Sequence, residues 1–198
     1  MTSTDPASVV VGEDGRARCA WSGVDAEYRR YHDEEWGTPL HGDRAMFEKL
    51  SLEAFQSGLS WLTILRRRPG FRAAFRDFDI AAVAALGDAD AAELLLDARI
   101  IRNRAKIAAT IANARIALDL TADNPGALDR LMWSFAPTGR ADRPRTLADV
   151  PATTPESTAM SASLRALGFR FVGPTTMYAL MQSTGMVDDH VTGCWKAV

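Results

Sequence analysis

From Asp25 onward, apolar residues recur every three to four positions between short polar breaks, and no sustained run alternates apolar with polar. That spacing belongs to amphipathic helices rather than half-buried strands. It predicts helices over 25–35, 43–57, 60–67, 69–75, 79–86 and 88–97, then a long one over 102–120 with Ile107, Ile111, Ala114 and Leu118 on one face. Aspartate or serine stands at several expected N-caps, where a side-chain oxygen can take an orphan backbone N–H. Asn124-Pro125 and Thr154-Pro155 each read as an N-cap followed by proline at the first helical position, and Gly173-Pro174 opens a last helix that Gly185 stops. Arg170-Phe171-Val172 is the single strand candidate and is too short to build a sheet. The stretch 137–151, punctuated by Gly139, Pro144 and Pro151, reads as a surface loop. The expected fold class is all-α, built from many short helices.

Composition narrows the setting. With 198 residues, 47% hydrophobic and 24% charged, the chain can enclose one sizeable core. The expected organisation is a flexible polar tail over 1–16 and a single domain over 17–198. The longest apolar runs fall far short of the ~20 residues that span a bilayer. The opening residues lack the basic start and apolar stretch of a signal peptide. A cytoplasmic monomer without membrane contact is expected. The formal net charge of −2 excludes a general basic coat, so any contact with nucleic acid must come from local patches.

Chemistry concentrates in Leu52-Glu53-Ala54-Phe55-Gln56-Ser57-Gly58-Leu59-Ser60-Trp61. On a helix over 43–57, Glu53 lies three or four positions from Lys49, Leu50, Gln56 and Ser57, at the edge of an apolar stripe. Gly58 suits a helix C-terminus and Ser60 the next N-cap, so the chain reverses and can return Trp61 toward Glu53. An acid beside an aromatic plate suits a flat cationic ring; a solvated glutamate and a core tryptophan explain the same ten residues.

Two further groups carry possible chemistry. His190 and Cys194 are four apart, and Cys19 and His32 form a second pair; two thiolates and two imidazoles suit a closed tetrahedral zinc site of structural type. Ordinary buried residues are the alternative, since free cysteine serves readily as a small hydrophobe. Arg102, Arg104 and Lys106 open the long helix, where the macrodipole disfavours cations and a bound phosphate would offset it. The short turn over 96–104 then reads as a hairpin gripping a nucleic-acid backbone. Arg66, Arg67, Arg68, Arg72 and Arg76 make a second basic cluster. A solvated face accounts for either.

Taken together, five motifs resemble the bacterial DNA-3-methyladenine glycosylase I family: Cys19-Ala20-Trp21; Tyr31-His32-Asp33-Glu34-Glu35-Trp36-Gly37; Leu52-Glu53 with Gln56 to Trp61; Gly168-Phe169-Arg170-Phe171-Val172-Gly173; and Asp189-His190-Val191 with Gly193-Cys194. The likeness runs in register from about Arg18 to Cys194. It implies a helix-hairpin-helix glycosylase fold with one structural Zn2+ per chain on Cys19, His32, His190 and Cys194, joining the chain ends. It implies that Glu53 is the catalytic-site carboxylate, with a base pocket of Tyr31, Trp61, Trp21, Tyr28 and Trp36. Gly58, Leu59, Arg102, Arg104 and Lys106 would meet double-stranded alkylated DNA, Leu59 as a wedge. The implied reaction flips the base and hydrolyses its N-glycosidic bond, releasing free 3-methyladenine without cutting the strand. Relatives usually carry glycine where this chain has Arg99 and Ala105, and neither Asp119 nor Asp123 is assigned a catalytic role.

Overall fold

The computed structural model describes residues 8–23, 25–139 and 142–197. Its first described segment corrects the expected polar tail over 1–16. Strand β1 (Val9–Val11) pairs antiparallel with β2 (Ala17–Cys19), Val9 opposite Cys19 and Val10 opposite Arg18. Three consecutive valines favour extended backbone, and the Trp195 N–H donates to the Ala17 carbonyl, joining the C-terminal segment to β2. Residues 1–7 lie outside the described residues. The short strand candidate at 170–172 forms no strand: Phe171 takes a left-handed φ of 58°, and both backbone groups of Arg170 bond the side chain of Asn113.

The remaining elements are helical: α1 (Ala26–Glu34), α2 (Asp43–Gln56), α3 (Trp61–Ala74), α4 (Ile80–Ala84), α5 (Asp88–Leu94), α6 (Arg104–Thr121), α7 (Ala127–Trp133), α8 (Pro155–Ala166) and α9 (Pro174–Ser183). Their starts follow the capping chemistry. Asp25, Ser60, Asp79, Asn103 and Thr154 each accept backbone N–H groups from the first turn. Two expectations are corrected. The separate helices over 60–67 and 69–75 are one helix running through Pro69. Asn124 does not cap α7, whose start is held by the Asp43 carboxylate, which accepts from the Gly126 and Asp129 N–H groups.

Helix α2 is the axle of the molecule. It packs against α3, α6, α7 and α9. Met46, Phe47, Leu50, Leu52, Ala54 and Phe55 are buried on it, so apolar contact surrounds it on every side. A helix so enclosed carries its polar residues inward as well, and its Lys49 and Glu53 are buried at 7% and 3% exposure. Phe71, Phe75 and Phe78 extend this core; Phe78 enters it through a left-handed turn at Arg76, Asp77 and Phe78, whose Asp77 carbonyl accepts from Arg44 Nε. Among the described residues no helix is long and apolar enough to cross a membrane.

Candidate active site

The turn after α2 does what its residues suggest. Gly58 takes a φ of 83°, which side-chain-bearing residues rarely adopt, and Ser60 caps α3, so Trp61 comes back against the α1 tyrosine with ring centroids of Tyr31 and Trp61 5.4 Å apart. Trp21 stands edge-on to Tyr28 at 5.4 Å and to Trp36 at 5.0 Å. These five rings and Glu53 line one cavity of about 280 Å3. Gln56, Ala179, Gln182, Ser183 and Asp189 complete its wall, with Leu147 and Val150 from the segment read in sequence as plain surface loop. That loop is part of the site, brought there by contacts no local pattern encodes.

Glu53 is wholly enclosed rather than solvated. Its Oε1 accepts from Ser183 Oγ at 3.0 Å, and burial pushes its carboxyl up to about 7, while Lys49 and the Ser183 hydrogen bond pull the other way. Burial also raises the Tyr31 hydroxyl well above the ordinary tyrosine range. Trp61 Nε1 is buried with no protein partner, an orphan donor in the cavity wall. The cavity thus offers aromatic faces and one acid that titrates near neutrality.

Behind the cavity lies a cluster of metal-ligating side chains. Ligand atoms of Cys19, His32 and Cys194 fall within 4.8 Å of one another, and all three residues are buried. Cys194 Sγ is 3.4 Å from His32 Nε2, and hydrogen bonds from Cys19 and His32 hold its thiol below the ordinary range while the Cys19 thiol is pushed up. His190 is not within that trio, yet its ring centre lies 5.1 Å from that of His32 and its buried Nε2 has no partner. Gly37 makes room for it: a Cβ there would meet His190 Cε1 at 2.7 Å. Both imidazoles are oriented by carboxylates on Nδ1, His32 by Asp33 at 2.8 Å and His190 by Asp188 at 2.7 Å. Such carboxylate–histidine pairs aim the other ring nitrogen at a metal. The sequence pattern alone did not single out Asp33 and Asp188, although each lies one or two positions from its histidine. Arg18, 4% exposed, joins Asp33 to Asp14. Trp36, with its ring 4.6 Å from His190 and 5.0 Å from Trp21, couples the cluster to the cavity.

The basic residues divide. Arg102 and Arg104 are exposed at the start of α6. Lys106 is not: at 7% exposure, its Nζ donates to the Phe55 carbonyl at 2.9 Å and the Ser57 carbonyl at 2.6 Å. This corrects its assignment to the DNA surface. A cation there satisfies the orphan carbonyls at the α2 C-terminus and ties the turn bearing Leu59, which is 41% exposed, to the first turn of α6. The second arginine cluster is likewise committed. Arg66 pairs with Asp25, Arg68 with Glu35, Arg72 with Glu48 and Arg76 with Asp90. Arg67 donates to the Ala98 carbonyl and so braces the turn between α5 and α6. That turn rests on Gly70 of α3, where a Cβ would meet Arg99 Cβ at 2.7 Å. Arg99 itself points to Asp97, with Nη2 to Oδ2 at 2.8 Å.

Comparison with known proteins bears on this architecture. A family model described as methyladenine glycosylase matches residues 21–197. The chain is similar to DNA-3-methyladenine glycosylase 1 of Escherichia coli strain K12, 43% identical over 178 residues covering 89% of this chain and 95% of the relative. It is similar to a crystal structure of 3-methyladenine DNA glycosylase I with a TM-score of 0.87 at 40% identity, over 90% of this chain and 98% of that one. It also matches a Staphylococcus aureus 3-methyladenine DNA glycosylase I, solved for the structural basis of its 3-methyladenine recognition, with a TM-score of 0.83 at 31% identity over 89% and 94% of the two chains.

Proposed function

The chain belongs to the methyladenine glycosylase family, and from that premise we propose that it excises 3-methyladenine from alkylated duplex DNA in base excision repair, leaving an abasic site and an uncut strand. The observation that carries this reading is the convergence of Trp21, Tyr28, Tyr31, Trp36 and Trp61 with Glu53 on one small cavity. A base within a duplex is out of reach until it leaves the stack, at a cost of a few kcal/mol that is smallest for damaged bases. A cavity of about 280 Å3 lies at the lower edge of the ligand-pocket range and suits one such heterocycle.

The methylated base is a cation until its bond to the sugar breaks. Aromatic faces favour a cation by about 0.5–2 kcal/mol each, and the Glu53 carboxylate supplies the opposite charge at the ring edge. As the glycosidic bond breaks, its electron pair neutralises the base. Water then forms the new bond to the oxocarbenium-like sugar carbon and gives up a proton. The departing base therefore needs little acid help, and the role assigned to Glu53 is to hold and select the base. Trp61 stacks on the ring, Leu59 fills the gap in the duplex as apolar wedges do, and Arg102 and Arg104 meet the phosphates of the hairpin-bound backbone.

Zn2+ is the metal that suits two thiolates and two imidazoles; Cys19, His32 and Cys194 would hold it, with the orphan Nε2 of His190 as fourth ligand. Its contribution would be structural, clamping the N- and C-terminal segments behind Trp36.

Methylated duplex DNA incubated with the protein and analysed by chromatography tests the reading. Free 3-methyladenine should accumulate while strands stay intact until alkali cleaves the abasic sites. Binding to methylated DNA without release of base would overturn it in favour of a non-catalytic reader.

A further inference from the structure

Lys49 is a buried cation that the proposed chemistry leaves unused. It sits one helical turn before Glu53 on α2 and is 7% exposed. Its Nζ lies 4.9 Å from the ring centroid of Tyr31 and 5.1 Å from that of Trp61, and 3.4 Å from Tyr31 Oη. Both rings line the cavity and Lys49 does not, so the ammonium is packed behind the plates that would grip the base. An ammonium placed there weakens the attraction of those rings for a cation, and burying it is costly unless a partner offsets the desolvation. The buried Glu53 carboxylate one turn away, together with Glu35, favours that charge across space.

We propose that Lys49 is a positioning residue of the base-binding site: its ammonium favours the ionised form of the Glu53 carboxylate and, by donating to Tyr31 Oη, turns the tyrosine's own O–H away from the lysine. This rests on the reading of Glu53 as the acceptor for the methylated base. Among the described residues, Lys49 is the one cation that favours the charge of Glu53. Ser183 faces it from α9 as a neutral donor, Tyr31 from α1 and Trp61 from α3 are uncharged, and Asp189, on the same cavity wall, carries the wrong sign. Around Lys49 itself stand Glu35, Glu48 and Arg68; Glu35 and Arg68 pair with each other, and Glu48 pairs with Arg72. The protonation of Glu53 near neutrality, with Lys49 opposing it, agrees with this geometry.

The test compares wild type with Lys49→Met, Lys49→Gln and Lys49→Arg. First, the Glu53 carboxyl is titrated by carbon NMR, which needs no substrate. Its midpoint should rise by about one pH unit or more in the Met and Gln variants, the order of shift that follows loss of a nearby opposite charge, and return toward wild type in the Arg variant. Second, single-turnover excision is followed against pH. Its acidic limb should move up by the same amount in the neutral variants, so that activity fails first at low pH, and be restored by Arg. A Glu53 midpoint unmoved in a folded neutral variant overturns the inference. So does failure of both neutral variants to fold, which would make Lys49 a purely structural charge. Wild-type protein that releases no 3-methyladenine would defeat the base-excision reading instead, and the substrate-free titration would still judge the lysine.

Discussion

Glu53→Gln should make the protein less sensitive to rising pH, and the size of the effect follows from the site. The folded carboxyl titrates at about 7 because it is enclosed, against 4.5 when free. Between those values the folded chain keeps a proton that the unfolded chain has released. Stability therefore falls as pH rises through that window. At 1.36 kcal/mol for each pH unit, ionising Glu53 costs the wild type about 2–3 kcal/mol between pH 5 and pH 8. Glutamine keeps the shape, still accepts from Ser183 Oγ, and does not titrate. Loss of its counter-charge lowers the affinity of Lys49 for its proton further, and a base displaced downward gains stability as pH rises, so this acts in the same direction. The assay is urea unfolding of both proteins at pH 5, 6, 7 and 8, using midpoints at a common slope. Histidines, thiols and the other carboxylates are common to both and cancel in the difference. The wild-type curve should fall relative to the variant by about 2–3 kcal/mol, nearly all of it below pH 7.5. Parallel curves would refute the burial argument, since they would mean Glu53 ionises as freely inside the protein as outside.

The remaining predictions use the same groups. Purified protein should carry about one zinc ion per chain, and chelation or Cys194→Ser should lower the thermal midpoint, because the cluster joins segments 162 residues apart in the chain; a metal-free preparation with equal stability counts against it. Arg102→Ala with Arg104→Ala should reduce the slope of log affinity against log salt by up to about 0.9 for each phosphate the arginines neutralise, without changing which base is released; an unaltered slope would place both guanidiniums away from DNA. Lys106→Met should leave that slope unchanged yet destabilise by about 1–3 kcal/mol through two unsatisfied carbonyls, and lower excision from duplex more than affinity for free 3-methyladenine; a changed salt slope would return Lys106 to the phosphate surface.

What the residues disclosed and what they hid divides by range of interaction. Asp25, Ser60, Asp79, Asn103 and Thr154 were readable as caps because each acts on backbone two or three positions away. Asn124 misled because the group capping α7 is Asp43, more than eighty residues earlier. The aromatic cavity was readable as a set of motifs, while Ser183, 130 residues from Glu53, and the covering residues Leu147 and Val150 were not. Residues 9–11 escaped notice for the same reason, since strand β1 depends on its pairing with β2.

The assignment of Lys106 to the basic patch failed for a different reason, and a local one. Arg104 and Lys106 are two positions apart, about 200° around a helix with 3.6 residues per turn, so they cannot share a face. If Arg104 meets phosphate, Lys106 must turn inward, and the buried Ile107 beside it marks that inward side. Counting cations over a window treats them as one patch; placing them on the helix separates a DNA contact from a brace. The same geometry governs α2, where Lys49 and Glu53 lie four apart on one face and so enter the core together. Burial opposes the charge of the Glu53 carboxylate and Lys49 favours it. On the reading proposed above, the lysine neighbour helps an enclosed pocket present a negative charge to a positively charged ring.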